Sequence, residues 1–293
     1  MLEAAATARQ KPRLTCWFAG LTTLDVIHRS VVRPGPNQKI TAVRQDVSAG
    51  GPAANAAVTA ATLGARALLV SALGSGPVGA VARGDLERHG VEVHDVADGE
   101  DIALAVSAVL VDDATGDRSV VSPDATLAGT FDVTPDLLDA LPRPDVVLLD
   151  GHHPGLARGV LAYVRALDPR PLVVLDAGRW RPVFADLLGG ADVTAASADF
   201  HPPEGVDRSR ATVATHGPHP VTWCDESGRH GTTPVPTVDV RDTLGAGDAF
   251  HGALAVALGR GADLEAAVEE AVRVASLRVQ HTGPRAWLEH LCA

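Results

Sequence analysis

The run Asp242-Thr243-Leu244-Gly245-Ala246-Gly247-Asp248-Ala249-Phe250-His251-Gly252-Ala253-Leu254 decides how this chain is read. Gly245, Ala246 and Gly247 stand just before an apolar stretch of helical character. N–H groups that open a helix have no intrahelical partner and carry the positive end of its dipole, so they form an anion site. Small side chains let a phosphate come close to that backbone. Asp248 adds a carboxylate in the first helical turn. Phosphoryl transfer to a hydroxyl needs this pair: one group takes the proton while dipoles hold the charge of the moving phosphoryl. The competing reading is a Gly-rich turn with a capping Asp, a common helix start.

A second segment weighs against that plainer reading. Residues 49–64 run Ala49-Gly50-Gly51-Pro52-Ala53-Ala54-Asn55-Ala56-Ala57-Val58-Thr59-Ala60-Ala61-Thr62-Leu63-Gly64. Paired glycines and a first-turn Pro predict a turn into a helix. The Ala-rich helix can press closely on a sheet, and Asn55 lies one turn in, facing the cleft that the glycines open.

Together the two segments resemble the signatures of the PfkB, or ribokinase-like, carbohydrate kinases. Gly50-Gly51, Asn55, Ala57, Gly64 and Gly74 fit the first signature; Asp242-Thr243 through Asp248 and Gly252-Ala253-Leu254 fit the second. Lesser matches extend the resemblance over about residues 13–290, with Gly20 to Asp25 similar to the first strand and its sugar-binding Asp.

The resemblance implies Asp248 as catalytic base, with Gly245, Ala246 and Gly247 offering amides to the transferred phosphoryl. It implies a sugar pocket of Asp25, Gly50, Gly51 and Asn55, and a nucleotide side at Thr215, Gly217 and Ser197. ATP with Mg²⁺ is the implied donor. Asp242, the Leu244 carbonyl and Gly283 resemble part of a monovalent-cation site, which would bring K⁺; a turn-capping Asp242 is the alternative. Lys39, one of two lysines in the chain (with Lys11), precedes the first signature. Its compact ammonium suits an anionic group on the substrate, as does Arg118, against an ordinary solvated role for each. Where many members carry Asn-x-x-Glu, this chain reads Ser197-Ala198-Asp199-Phe200, which leaves the metal without its usual Glu. That wording and His251 are more similar to the ketohexokinase and sulfofructose-kinase branches. The expected activity is ATP-dependent phosphorylation of a primary hydroxyl on a ketose or related sugar. A nucleoside kinase of the same fold, or a non-catalytic sugar or nucleotide sensor, are the alternatives.

The whole chain bounds these readings. Its 293 residues suffice for one large α/β domain. A net charge of −11 argues against nucleic acid or an anionic membrane as partner. No apolar run is long enough to span a bilayer, and Cys16, Cys224 and Cys292 are too scattered for a disulfide scaffold or zinc cluster, so a cytoplasmic protein is expected. No P-loop motif is present. Gly74-Ser75-Gly76-Pro77-Val78-Gly79 is a literal dinucleotide-binding pattern with Asp95 beyond it, but it lies outside the first βαβ unit and coincides with a turn of the resembled family. His281 and His290 read as too distant in sequence to pair.

Apolar runs at 14–20, 67–73, 145–150, 172–176 and 211–215 predict strands covered on both faces. Between them, 52–63, 78–89, 135–141, 154–167 and 181–188 read as helices, with 249–259 and 264–280 as a closing pair. The alternation predicts a doubly wound, mostly parallel sheet flanked by helices. Residues 26–48 and 102–121 alternate apolar with polar and predict exposed antiparallel strands, which in the resembled family form a small β-lid and dimer contact. The domain is expected over 13–293, with a disordered tail over 1–12.

Overall fold

The computed structural model describes residues 13–126 and 128–291; the tail expected over 1–12 lies outside them. The chain begins with β1 (Thr15–Ala19), β2 (Thr23–Ser30), β3 (Arg44–Gly50), α1 (Pro52–Thr62), β4 (Arg66–Ser71), α2 (Pro77–Arg88) and β5 (Val91–Asp95). It continues through β6 (Val106–Asp112), β7 (Arg118–Val121), α3 (Pro135–Asp139), β8 (Val146–Leu149), α4 (Pro154–Arg165), β9 (Leu172–Ala177) and α5 (Phe184–Leu187). Last come β10 (Val193–Ser197), β11 (Ala211–His216), β12 (His219–Cys224), β13 (His230–Thr233), α6 (Ala246–Gly259) and α7 (Leu264–Val279).

Nine strands form the main sheet in the order β13-β12-β11-β10-β9-β8-β1-β4-β5. Every pairing from β11 to β5 is parallel, and β12 and β13 close one edge antiparallel. Alternate residues of each strand serve opposite faces, as the period of two requires. Cys16 and Phe18 pack with α1, α6 and α7, whereas Trp17 and Ala19 pack with α3, α4 and α5. The parallel, doubly covered sheet expected from the buried runs is present.

A second sheet, in the order β3-β2-β6-β7, covers the segments expected as exposed antiparallel strands. Two pairings are antiparallel, but β2 and β6 run parallel. The long excursion through α1, β4, α2 and β5 returns the chain in the same direction, which a hairpin cannot do. Its inner face carries Asp25, Ile27, Arg29, Ser107, Val109 and Val111, all buried. The helix expected over 181–188 shortens to Phe184–Leu187; Pro182 restricts its neighbour and lacks a donor.

One packing feature positions the site. A Cβ on Gly252 of α6 would lie 2.5 Å from the Ala56 carbonyl oxygen and 2.9 Å from Thr59 Cβ, both on α1. The bare glycine therefore lets the two helix backbones touch, which brings the starts of α1 and α6 together.

Candidate active site

That contact places Asn55 against Asp248, 193 positions apart in sequence: Asn55 Nδ2 donates to Asp248 Oδ2 at 2.8 Å. The Asn55 amide is oriented from its other end by Arg285, whose Nη1 donates to Asn55 Oδ1 at 3.0 Å. Arg285 is itself held by the Ala49 carbonyl (2.8 Å) and by Asp85 Oδ2 (3.1 Å), a buried α2 carboxylate that also accepts from Ala49 N. A relay thus runs Asp85–Arg285–Asn55–Asp248. Sequence reasoning found Asn55 and Asp248 but missed Asp85 and Arg285, which belong to no local pattern.

Gly245 caps α6 in the left-handed region, φ 72°, a conformation that favours glycine. A Cβ there would point to within 3.8 Å of both Asn55 Nδ2 and Asp248 Oδ2, so the missing side chain leaves an opening beside the carboxylate. Burial, and next the nearby Asp176, push Asp248 up to about 6; Asn55, His251 and Arg118 oppose the rise. Asp176 is the penultimate residue of β9, and its carboxylate lies 2.9 Å from His251 Nδ1. Burial pushes His251 down, but the Asp176 and Asp248 charges outweigh it and the net shift is upward. Asp176 was readable only as the end of a strand, although carboxyl ends of parallel strands are where such sheets bind ligands.

Asp25 shares a pocket with Ser48, Asn55, Gly245 and Arg285. Its Oδ1 accepts from Thr23 Oγ1 at 2.7 Å, and burial raises its pKa against the opposing Thr23, Ser107 and Arg285. A Cβ on Gly50 would lie 2.1 Å from an Asp25 carboxylate oxygen, and Gly51 (φ 94°) would strike the Leu21 carbonyl at 2.3 Å. Asp25, Gly50, Gly51, Asn55 and Gly245 are thus gathered at one place. Lys39 is not: it is exposed in the connection from β2 to β3, outside the pocket lining. Arg118 reaches the other rim, 3.4 Å from the Thr243 carbonyl.

Ser197 and Thr215 are register partners at the ends of β10 and β11, and Gly217 turns the chain into β12 with φ 61° and open space around it. Ser197 Oγ donates to the Gly178 carbonyl. These residues line the same carboxyl edge of the sheet as Asp176. The glycine pattern at 74–79 is a packing turn: Asp95 accepts from the Leu73 and Gly74 amides and pairs with Arg83. One histidine expectation is corrected. His281 and His290 stack with ring centroids 4.3 Å apart, because the turn after α7 folds the C-terminal segment back.

Among the described residues no cluster of three or more His, Cys, Asp or Glu could hold a metal. Mg²⁺ keeps several waters and arrives on phosphates with one or two carboxylates, so it needs no such cluster. The expected K⁺ site does not fit. Asp242 is buried and does draw in Leu244 and Gly283, whose amides donate to its two oxygens at 3.0 Å each. The same oxygens also face Arg29 Nη2 at 3.1 Å and Arg278 Nη2 at 3.7 Å.

Comparison with known proteins agrees with this fold. A family model described as pfkB family carbohydrate kinase matches residues 15–199 and 184–291. The ribokinase of Bacillus subtilis (strain 168) is 26% identical over 275 residues, 89% of this chain and 91% of the relative. The ATP-dependent ribose-1-phosphate kinase of Halopiger xanaduensis is 30% identical over 280 residues, 91% of this chain and 92% of the relative. The structure of Arabidopsis thaliana ribokinase complexed with ribose and ATP superposes with a TM-score of 0.76 at 22% identity, covering 95% of this chain and 99% of that one.

Proposed function

The chain belongs to the pfkB family of carbohydrate kinases, and we propose that it phosphorylates a primary hydroxyl of a small sugar with Asp248 as the base. As a member of that family it is a phosphotransferase acting on a sugar hydroxyl, with ATP and a divalent metal. The observation that carries the reading is the 2.8 Å Asn55–Asp248 hydrogen bond, which joins the two signature segments at one pocket. Asp25, with Asn55 beside it, accepts the sugar's hydroxyls in the space that Gly50 leaves free. Asp248, held by Asn55, takes the proton of the reacting hydroxyl. The amides of Gly245, Ala246 and Gly247 bind the transferred phosphoryl, helped by the α6 dipole. Ser197, Thr215 and Gly217 hold the nucleotide along the carboxyl edge of the main sheet. Mg²⁺, when bound, would neutralise phosphate charge during the transfer.

The second sheet is the lid over the sugar, and closing it removes water from the transfer. Its outer face presents Val47, Val106 and Val121, the last 76% exposed, an apolar surface that fits a homodimer contact through the lid. No described helix is long and apolar enough to cross a membrane.

A ketose or related carbohydrate is the substrate expected from the 197–200 wording. Ribose or ribose 1-phosphate is the second reading, favoured by the names of two relatives that align over nine-tenths of this chain. The test is ADP release with Mg²⁺–ATP over ketoses, pentoses, sugar phosphates and nucleosides, followed by mass spectrometry of the product. Sugar-dependent turnover with one phosphate on a primary hydroxyl supports the proposal. Turnover confined to nucleosides, or ligand-induced melting shifts without turnover, overturns it.

A further inference from the structure

The loop leading into the anion hole is held by two arginines where a monovalent cation was expected. Asp242 is 1% exposed, and the side chains of Arg29 and Arg278 are 7% and 2% exposed. Besides facing the Asp242 carboxylate, both guanidinium groups cap the surrounding carbonyls. Arg29 Nη1 donates to the Arg241 carbonyl at 3.2 Å. Arg278 Nη1 donates to the carbonyls of His281 at 3.0 Å and Asp242 at 3.5 Å. A hard cation such as K⁺ is held by a ring of oxygens that replaces its water shell. Here the carboxylate and the carbonyls of Arg241, Asp242 and His281 already accept N–H bonds, and an added cation would meet two fixed positive charges. Burial pushes the Arg278 pKa down while Asp242 opposes the shift, and an arginine keeps its charge in proteins. Asp113, the other carboxylate at Arg29 (3.6 Å), is exposed and leaves the buried charge balance to these three groups.

We infer that Arg29 and Arg278 replace the monovalent cation. They neutralise Asp242 and lock the 241–245 turn that presents the anion-hole amides, so neither folding nor turnover requires K⁺. They are positioning residues: Arg29 comes from β2 of the second sheet and Arg278 from the last turn of α7, so the clamp ties both to the start of α6. The turnover part rests on the kinase reading above; the folding part does not.

The experiment has two arms on the intact protein. The first follows thermal unfolding of the ligand-free protein in KCl against tetramethylammonium chloride at equal ionic strength, about 0.1 M, since screening alone is then matched. The melting temperatures are expected to agree within about 1 °C; a saturable rise with K⁺ but not with tetramethylammonium marks a resident site by mass action and overturns the inference. The second arm measures sugar-dependent ADP formation in the same salts, expected to agree within about twofold, whereas K⁺ activation of tenfold or more, about 1.4 kcal/mol in the barrier, overturns it. Arg29→Ala then opens the space beside Asp242. Its kcat is expected to fall at least tenfold and to recover several-fold with K⁺ or guanidinium, about 1 kcal/mol or more, at unchanged KM for ATP. A loss that neither cation rescues assigns Arg29 a merely structural role and defeats the replacement. If that variant does not fold, the wild-type melting arm still decides, and a protein inactive on every sugar would defeat the kinase reading while leaving that arm intact.

Discussion

Replacing Asp248 by Asn should stabilise the protein, and the gain should depend on pH in a defined direction. Asp248 titrates near 6 in the folded protein against an ordinary value of 3.8. Because the folded value is the higher one, the folded state holds an extra proton between about pH 4 and 6, and stability falls as pH rises through that interval. At 1.36 kcal/mol per tenfold change in proton affinity, the ionised carboxylate costs the fold up to about 3 kcal/mol at neutral pH. Asp248 is only half-buried, which screens part of this, so about 1.5–3 kcal/mol is expected. Asn keeps an oxygen to accept the Asn55 amide and removes the charge that burial and Asp176 oppose. For a domain of this size that corresponds to a melting temperature roughly 3–8 °C higher near pH 8, shrinking to about a third of that near pH 4.5 and vanishing below about pH 3.5. The assay is thermal or urea unfolding of both proteins at several pH values. A variant no more stable than wild type near pH 8, or one with the same gain at both ends, refutes the electrostatic reasoning.

Other outcomes follow from the same geometry. The logarithm of kcat/KM should fall with unit slope below about pH 6, because the base must be ionised to accept a proton; a profile flat down to pH 5 would reject Asp248 as that base. Gly252→Ala should lose stability by about 1–2 kcal/mol despite its better helix propensity, since the new methyl meets the Ala56 carbonyl at 2.5 Å. Its kcat should drop as Asn55 and Asp248 part, and an active, more stable variant would contradict the close-packed account. Gly50→Ala should raise the sugar KM at least about tenfold with little change for ATP, because its Cβ needs the space of the Asp25 carboxylate. Val121→Asp should convert a dimer to monomers in light scattering if the outer face of the lid is the contact.

What the sequence revealed follows from how local each signal is. The buried strands were legible because residues covered on both faces leave continuous apolar runs, as in Val146–Leu149. The starts of α1 and α6 were legible because glycine pairs and a first-turn Pro have local conformational reasons. β5 and β13 were not, being short polar edge strands such as His230–Thr233, nor was β12, His219–Cys224, whose residues are mostly not buried. The parallel β2–β6 pairing is set by the path of the intervening chain, which no window of residues contains. Arg285 lies 230 positions from Asn55, and Arg278 36 from Asp242, so neither partnership leaves a spacing to read. For that reason a K⁺ site was expected where two guanidinium groups stand. The proposed base and anion hole, by contrast, lie together in Gly245–Asp248, because a helix N-terminus is a local structure.

The most direct test of the central claim is sugar-dependent ADP formation by Asp248→Asn beside wild type, with sugar affinity measured separately by calorimetry. Loss of a general base predicts a kcat lower by about 10²–10⁴-fold at an unchanged sugar Kd. Turnover within tenfold of wild type would contradict Asp248 as the group that takes the proton.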